Sequence, residues 1–273
     1  MHFAVAESER NPTLEFESAK EACECEARGD WIGAEAAYRK RQALQEATVN
    51  FGLIWKAHRD LSQLFLLIGD LDQADQVGKM ATEAARRTDL FPLKVMALED
   101  HARHALRRGD HAGALKAASE AVDHVEAGSV YDQMRAGALA LRARCRIAAG
   151  DVEGAEQDLA ASKPILLDRE TSPIFAGAHG KASVWWEAAA AICTQRGDRA
   201  GAAEAWANAV DRRRHISSLQ QVAGPYTLAA LSRALRHWSE ALTAAGQLAE
   251  ARKVLAESQN LWGELGLPEQ ADG

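Results

Sequence analysis

The chain has 273 residues, 47% of them hydrophobic and 26% charged, and its formal net charge at pH 7 is −7. This composition argues against a disordered chain, and the negative charge argues against general nucleic-acid binding, which needs cations to replace the counterions of the phosphates. No apolar run approaches the roughly 20 residues of a membrane-spanning helix, and the first residues lack the pattern of a signal peptide. We therefore predict a cytoplasmic protein with neither nucleic-acid nor membrane partners.

A turn signal recurs six times along the chain. In each copy a glycine is followed by aspartate, or by glutamine in the last copy, and an alanine stands five residues after the glycine. Successive glycines are 40, 40, 41, 47 and 49 residues apart, a period that indicates a repeat protein and not a single compact core. The six glycines are Gly29, Gly69, Gly109, Gly150, Gly197 and Gly246.

The residues between these turns are typical of α-helices. Apolar residues recur at helical spacing, as in Leu139, Ala143 and Ile147, and strand patterns are nearly absent. A small residue also precedes each turn glycine by seven positions, so the two helices joined by the turn can approach closely. We expect the glycine to end the first helix in a left-handed conformation and the aspartate to cap the second helix. Gln247 would cap poorly, which predicts the weakest helix start in the last repeat.

This pattern resembles the tetratricopeptide repeat (TPR) family over roughly residues 12–265. The family places a small residue in the first helix, then a turn, then a small and a bulky residue in the second helix. Four repeats fill the bulky position well or moderately, whereas Gly78 and Ala118 are poor matches, and only Trp186 matches the tryptophan of the family's first helix. The period exceeds the family's usual ~34 residues, as it does in the repeat domains of bacterial regulatory proteins.

The resemblance implies an all-α, right-handed solenoid of about six antiparallel helix pairs. We predict one superhelical domain over residues 12–267, with an N-terminal segment (1–11) before it and a short tail (268–273) after it. Such solenoids present extended concave binding surfaces, so the predicted function is a non-catalytic protein–protein interaction module, an adaptor or a regulatory subunit. The alternative is a sensor of a small ligand or signalling peptide in repeats four to six, where Trp186 holds a packing position and Trp185 is the freer aromatic residue.

No motif indicates catalysis, a cofactor or a metal. The chain lacks a phosphate loop, a dinucleotide-binding glycine fingerprint, a His-Glu-x-x-His sequence and a Gly-x-Ser-x-Gly sequence. Cys23 and Cys25 lie on different sides of one helix, which favours free thiols. His101 and His104 have a spacing that could suit a metal, but Arg103 between them would oppose a cation. We predict a protein that is not an enzyme and holds neither cofactor nor metal.

The resemblance places ligands in a concave groove lined by the first helices of the repeats. Arg103 and Arg144 hold the same position in adjacent repeats, and a guanidinium can bind a carboxylate with paired hydrogen bonds. We predict an acidic peptide, or the C-terminal carboxylate of a partner, as the ligand; in the alternative, these arginines pair with carboxylates of the chain itself. The family register selects these groove candidates: Lys56, Arg59, Gln63, Glu99, Asp100, Arg103, Arg107, Arg144, Glu187, Gln195, Arg233, Arg236, His237 and Glu240.

The C-terminal helix carries apolar residues that no later predicted helix covers. They include Leu261, Trp262 and Leu265. Because the end of a solenoid needs a polar outer face, an apolar end requires a covering surface. We expect this end either to form a homodimer or to dock a partner.

Overall fold

The computed structural model describes residues 12–128, 132–167, 176–219 and 224–267, so the predicted segments 1–11 and 268–273 lie outside the described residues. Within these ranges the chain forms helices and turns, without a strand. None of the described helices is both long and apolar enough to span a bilayer. In chain order they are α1 (Pro12–Ala27), α2 (Trp31–Glu46), α3 (Phe51–Ile68), α4 (Leu71–Arg86), α5 (Phe91–Arg107), α6 (His111–Gly128), α7 (Asp132–Ala148), α8 (Val152–Leu166), α9 (Ala176–Gln195), α10 (Arg199–Ser218), α11 (Pro225–Ala244) and α12 (Leu248–Leu265). Successive helices pair as six repeats, from repeat one (α1 and α2) to repeat six (α11 and α12).

The turn inside each repeat has the conformation that the sequence predicts. All six turn glycines have a positive φ, between 71° and 86°, which only glycine adopts without strain. The aspartate after the glycine caps the second helix in five repeats: Asp30, for example, accepts a hydrogen bond from the Gly33 backbone N–H at 2.9 Å. Gln247 makes no side-chain cap bond, so the prediction of a poor cap in the last repeat is confirmed.

Small residues hold the two helices of a repeat together. The predicted contact alanines are buried, with Ala102 and Ala114 both 0% exposed. In repeat two a serine takes the first position, and Ser62 Oγ donates a 2.8 Å hydrogen bond to the Ala74 carbonyl on the facing helix. Ser239 and Ala251 repeat this bond in repeat six at 2.8 Å. A hydroxyl therefore replaces a methyl at this contact without leaving a buried polar group unpaired.

The poor family match at Gly78 has a structural cause. The imidazole of His104 lies over Gly78, so that a Cβ at this position would come 2.6 Å from His104 Nδ1. His104 is 4% exposed and comes from α5 of the next repeat. The bulk that the family places on the second helix is supplied here by a neighbouring first helix.

The first helices line the inner side of the solenoid. Beyond the contacts between neighbouring helices, α3 contacts α5, α5 contacts α7 and α7 contacts α9. No pair of second helices from successive repeats makes a comparable contact. Because the first helices lie closer together than the second helices, the surface is concave on the side of the first helices.

The superhelix returns on itself, so that repeat six packs against repeats one and two. Leu67 at the end of α3 forms one apolar cluster with Ala229 of α11 and with Trp262 and Leu265 of α12. Trp31 of α2 packs against this cluster. We call this contact between the two ends of the chain the closure seam.

The closure seam corrects the prediction of an open C-terminal end. Trp262 is 2% exposed and Leu265 6% exposed, because repeats one and two cover them. Leu261 packs against an apolar cluster shared by repeats five and six. The residues predicted to form a homodimer or to dock a partner are thus used inside the chain, and the homodimer has no support.

Candidate functional site

The predicted groove residues of repeats two and three form one cluster of ion pairs. Arg59 Nε on α3 lies 2.6 Å from Asp100 Oδ2 on α5. Arg103 on α5 binds the same carboxylate at 2.8 Å and also contacts Glu99 at 3.2 Å. Burial alone would raise the pKa of Asp100, but Arg59 and Arg103 lower the pKa below its usual value. The carboxylate therefore stays ionised and fixes both guanidinium groups.

A second cluster joins repeats four and five. Arg144 Nη1 on α7 lies 2.7 Å from Glu187 Oε2 on α9. Arg213 on α10 donates from Nε to the other oxygen of Glu187 at 2.9 Å, and Ser183 donates to that oxygen at 3.1 Å. Burial opposes ionisation of Glu187, yet the two arginines lower the pKa of this carboxyl to about 2.

Both clusters place the arginine above a buried carboxylate. The Arg103 side chain is 40% exposed, whereas those of Glu99 and Asp100 are only 10% and 11% exposed. The Arg144 side chain is 37% exposed over a Glu187 side chain that is 5% exposed. The alternative in which groove arginines pair with their own chain therefore holds for Arg103 and Arg144. Their side chains are nevertheless the more accessible part of each cluster.

Three other predicted groove residues contact a backbone carbonyl or a side chain of their own helix. Lys56 pairs with Asp60 at 3.0 Å, and Arg107 donates to the Leu66 carbonyl at 2.9 Å. Gln195 donates to the Ile147 carbonyl at 3.2 Å. Gln63 lines a cavity of about 10 Å³ between repeats two and three, which has room for one water molecule.

The predicted residues of repeat six lie together on α11. Glu240 accepts from Arg236 at 3.3 Å and lies 3.3 Å from His237 Nδ1. The His237 ring stacks on Trp206 of α10 with 4.9 Å between ring centroids. Arg233 is half-buried on the same helix. These residues form a group that is separate from the two arginine clusters.

Sequence reasoning missed two cations near these clusters. Arg213 lies on a second helix, and the family register assigns groove positions to first helices. Lys181 lies in the first two turns of α9, which begins earlier than the family's first helix. Its ammonium donates to the Gln133 carbonyl at 3.1 Å, and its stem covers Gly137. Burial lowers the pKa of Lys181, and Glu99 and Arg103 of repeat three are close enough to influence it.

The aromatic residues of repeat five have the reverse of their predicted roles. Trp185 is 9% exposed and its indole N–H donates to the Leu159 carbonyl at 3.0 Å. Trp186, predicted as core, is half-buried and packs at the edge of the same cluster. The freer tryptophan is therefore Trp186, because the hydrogen bond to Leu159 places Trp185 against α8.

A polar cavity lies between α9 and α10 of repeat five. Its volume is about 380 Å³, and its lining includes His179 of α9 and Arg212, Arg214 and His215 of α10. The centroids of the two imidazole rings are 4.2 Å apart. Burial, together with the neighbouring His215, lowers the pKa of His179.

Cysteine and metal chemistry are limited in the described chain. Cys23, Cys25, Cys145 and Cys193 are free thiols. Burial raises the pKa of Cys145 to about 12, so this thiol is unreactive at neutral pH. Within the described ranges no three His, Cys, Asp or Glu side chains are arranged to hold a metal ion.

Comparison with known proteins identifies the fold. No protein-family model and no curated protein matches the chain. The crystal structure of a Rap protein complexed with Competence and Sporulation Factor does match, at 14% identity and a TM-score of 0.61, over 93% of this chain and 76% of that one. BtubC (BKLC) from P. vanneervenii matches at 15% identity and a TM-score of 0.52, over 96% of both chains. A Podosopora anserina kinesin light chain with TPR-like repeats matches at 15% identity and a TM-score of 0.50, over 93% of this chain and 97% of that one.

The helix pairs, their turns and these neighbours define the class of protein, an all-α solenoid of stacked helix hairpins. Within that class the chain has the TPR-like fold, which confirms the resemblance drawn from the six turn signals. At such low identities the likeness extends to the fold alone.

Proposed function

We propose that this chain is a non-catalytic interaction module, an adaptor or regulatory subunit, which binds an acidic peptide or a partner's C-terminal carboxylate in its concave groove. The observation that carries this proposal is the layering of the arginine clusters. The partly exposed side chains of Arg103 and Arg144 lie over carboxylates that are nearly buried. This layering supports recognition of an anionic ligand from the groove.

The buried carboxylates prepare the arginines for binding. A guanidinium has five N–H donors in a rigid plane, and a single carboxylate uses at most two of them. Asp100 and Glu187 hold Arg103 and Arg144 in fixed positions, so that little side-chain entropy is lost when a ligand binds. A ligand carboxylate would share each guanidinium with the internal partner.

The similar structures agree with this class of function. One of them is a Rap protein complexed with Competence and Sporulation Factor, a ligand-bound member of the same fold. The fold alone does not transfer that ligand to this chain. We propose a cytoplasmic setting for the module because the chain has free thiols and is rich in charged residues.

A peptide-selection experiment tests the proposal. A random peptide library displayed on phage is selected on the full chain, and the affinities of the selected peptides, once synthesised, are measured by calorimetry. We expect acidic peptides. We also expect the substitution Arg144→Lys, which keeps the charge but loses the planar fork, to weaken binding by about tenfold.

The matched control is Arg142→Lys on the same helix. Arg142 binds Asp158 of α8 through two hydrogen bonds of 2.7 and 2.9 Å and is not part of the groove. Its substitution should leave peptide affinity unchanged. Equal losses for both variants, or selection of peptides without acidic residues, would contradict the proposed site.

A photo-cross-linking experiment locates the binding face independently. Benzoylphenylalanine is placed at Gln63, a groove position on α3, or at Met80 on α4, which is 39% exposed. The selected peptide should cross-link at Gln63 and not at Met80. Cross-linking at Met80 alone would move the site to the outer surface.

The second candidate function is a sensor of a small ligand in repeat five. The polar cavity beside His179 and His215 favours it, since a lining of two imidazoles, two arginines, Asp211 and Ser218 suits a small charged molecule better than an apolar one. NMR spectra during titration with inorganic phosphate provide the test. Signals of the wild type should shift, and His215→Ala, but not a change at the exposed His124, should abolish the shifts.

A further inference from the structure

The two ends of the chain meet at one carboxylate. Glu26, near the end of α1, accepts a 2.9 Å hydrogen bond from the Tyr38 hydroxyl of the same repeat. The same oxygen, Oε1, accepts a hydrogen bond from the hydroxyl of Tyr226, in the first turn of α11. Tyr226 is 200 residues away in the sequence, so only the curvature of the solenoid brings the two residues together.

The Glu26 contact lies beside the apolar closure seam. Tyr226 packs against the cluster formed by Leu67, Ala229, Trp262 and Leu265. The turn of repeat one also approaches α12: a Cβ at Gly29 would lie 3.8 Å from the Leu265 carbonyl oxygen. Polar and apolar contacts therefore join the two ends of the chain at the same place.

Glu26 differs from Asp100 and Glu187, the buried carboxylates of the two arginine clusters. Asp100 and Glu187 are held by arginines, whereas Glu26, which is 8% exposed, has no ion pair among the described residues. The groups that face it are Tyr38 of α2, Asp60 of α3 and Tyr226 of α11, with Cys23 on its own helix. Asp60 is itself neutralised by Arg41 and Lys56.

This environment makes the polar contact at Glu26 weaker than the arginine–carboxylate pairs of the groove. Neutral hydroxyl donors hold a carboxylate less strongly than guanidinium groups do. Burial raises the pKa of Glu26, and the hydrogen bonds from Tyr226 and Tyr38 only partly oppose that effect. In a solenoid each repeat is stabilised by its neighbours, so the contact between the ends can open without unfolding any repeat.

We propose that Glu26 and Tyr226 form a latch between the first and last repeats, and that this latch controls how far the concave groove opens. The latch itself follows from the seam, and only its effect on ligand access rests on the proposed function. With the latch closed, the joined ends allow only a short or flexible segment to enter the concave groove. With the latch open, the ends separate and the groove widens.

Distance measurements between spin labels test the latch without any ligand. The labels are attached to Ile32→Cys on α2, a site 85% exposed, and to Gln259→Cys on α12, which is also exposed. The accessible thiols are first removed by Cys23→Ala and Cys193→Ala. The wild type should give one narrow distance distribution, and Tyr226→Phe should shift part of the population to longer distances.

Tyr38→Phe is the matched control, because it removes a hydroxyl from the same Glu26 oxygen but lies within repeat one. It should leave the distance distribution unchanged. Circular dichroism confirms that both variants remain helical. A distribution that is unchanged in Tyr226→Phe, or broadened equally in both variants, would overturn the latch.

The effect on the groove is measured separately, with an acidic peptide selected from the library. We expect Tyr226→Phe to raise the association rate of the peptide severalfold and Tyr38→Phe to leave the rate unchanged. Longer distances with an unchanged association rate would overturn the control of the groove while keeping the latch. If no library peptide binds the groove, the proposed function fails, whereas the distance measurements still decide the latch.

Discussion

Tyr226, at the start of the last repeat, donates a hydrogen bond to Glu26 in the first repeat. This bond and the burial of Trp262 join one edge of repeat six to the turn edge of repeats one and two, so the solenoid is not open at its C-terminal end. A superhelix with joined ends differs from an open one in one functional respect, because its curvature, and with it the width of the concave groove, cannot change freely while the contact holds.

The contact between the first and last repeats should weaken as pH rises. Burial raises the pKa of Glu26 in the closed chain above its usual value, so the closed state binds a proton more tightly than the open or unfolded state. Protonation therefore favours closure as pH falls through the raised pKa, and this stabilisation is lost as pH rises. Spin-label distances at pH 4, below the ordinary pKa of a glutamate, and at pH 8 should show the longer population increasing at the higher pH.

Glu26→Gln is the control for this pH dependence. Glutamine keeps an acceptor oxygen for the two hydroxyl groups but carries no charge. The variant should stay closed at both pH values. If it showed the same pH dependence as the wild type, another titrating group would be responsible.

Removing the carboxylate of Glu187 should destabilise the fold strongly. The substitution Glu187→Ala leaves Arg213 and Arg144 without their buried counter-charge, which costs about 3–5 kcal/mol. The pKa of Glu187 is lowered to about 2, so its stabilising effect is complete above the ordinary range of a glutamate and is lost as pH falls towards 2. Urea unfolding at pH 7 and at pH 3 measures both effects.

The exposed pair of Arg214 and Glu257 provides the comparison for Glu187. Both side chains are about two-fifths exposed, at 44% and 40%. Glu257→Ala should cost less than about 1 kcal/mol, as is usual for surface ion pairs. Similar losses for the two substitutions would show that the Glu187 cluster is not effectively buried.

The sequence predicted local structure better than it predicted the curvature. The turn glycines and capping aspartates act within a few residues, so their pattern determines the helix ends directly. The closure seam depends on small rotations summed over six repeats, and no local pattern near Trp262 encodes that sum.

The candidate site also combines residues that the sequence identified with residues that it missed. Arg103 and Arg144 follow from the regular repeats, whereas Lys181 lies in the part of α9 that precedes the first position of the family repeat. Trp185 and Trp186 exchange their predicted roles although the register counted back from Gly197 buries Ala190 as expected. Adjacent helix positions are about 100° apart, and which of the two tryptophans is buried depends on the packing of α9 against α8, which no local pattern encodes.

An alanine at Gly78 should destabilise the contact between repeats two and three. The added Cβ would come 2.6 Å from His104 Nδ1, and His104 is 4% exposed. We expect Gly78→Ala to cost about 1–3 kcal/mol, the usual effect of overpacking. Thermal unfolding monitored by circular dichroism provides the measurement.

The double variant Gly78→Ala with His104→Ala separates the clash from other effects. Removing the imidazole makes room for the new methyl group, so the double variant should be more stable than the sum of the two single effects predicts. Additive losses would mean that the imidazole is not the group that restricts Gly78.

The last helix should gain stability from a proper cap. Gln247 precedes α12 without a side-chain cap bond, whereas Asp198 in the preceding repeat accepts from the Gly201 N–H at 2.9 Å. Gln247→Asp supplies the same acceptor to the Glu250 N–H and places a negative charge at the helix N-terminus, so we expect a gain of about 1 kcal/mol.

The reverse change, Asp198→Ala, should lose a similar amount, which makes the two variants a matched pair. Hydrogen exchange measures the effect locally, because a capped first turn protects its amide groups. Since α12 also carries Trp262 and Leu265 of the closure seam, the added stability should extend to the contact with repeat one and slow exchange at the end of α1. Protection confined to the first turn of α12 would mean that the seam opens independently of this helix.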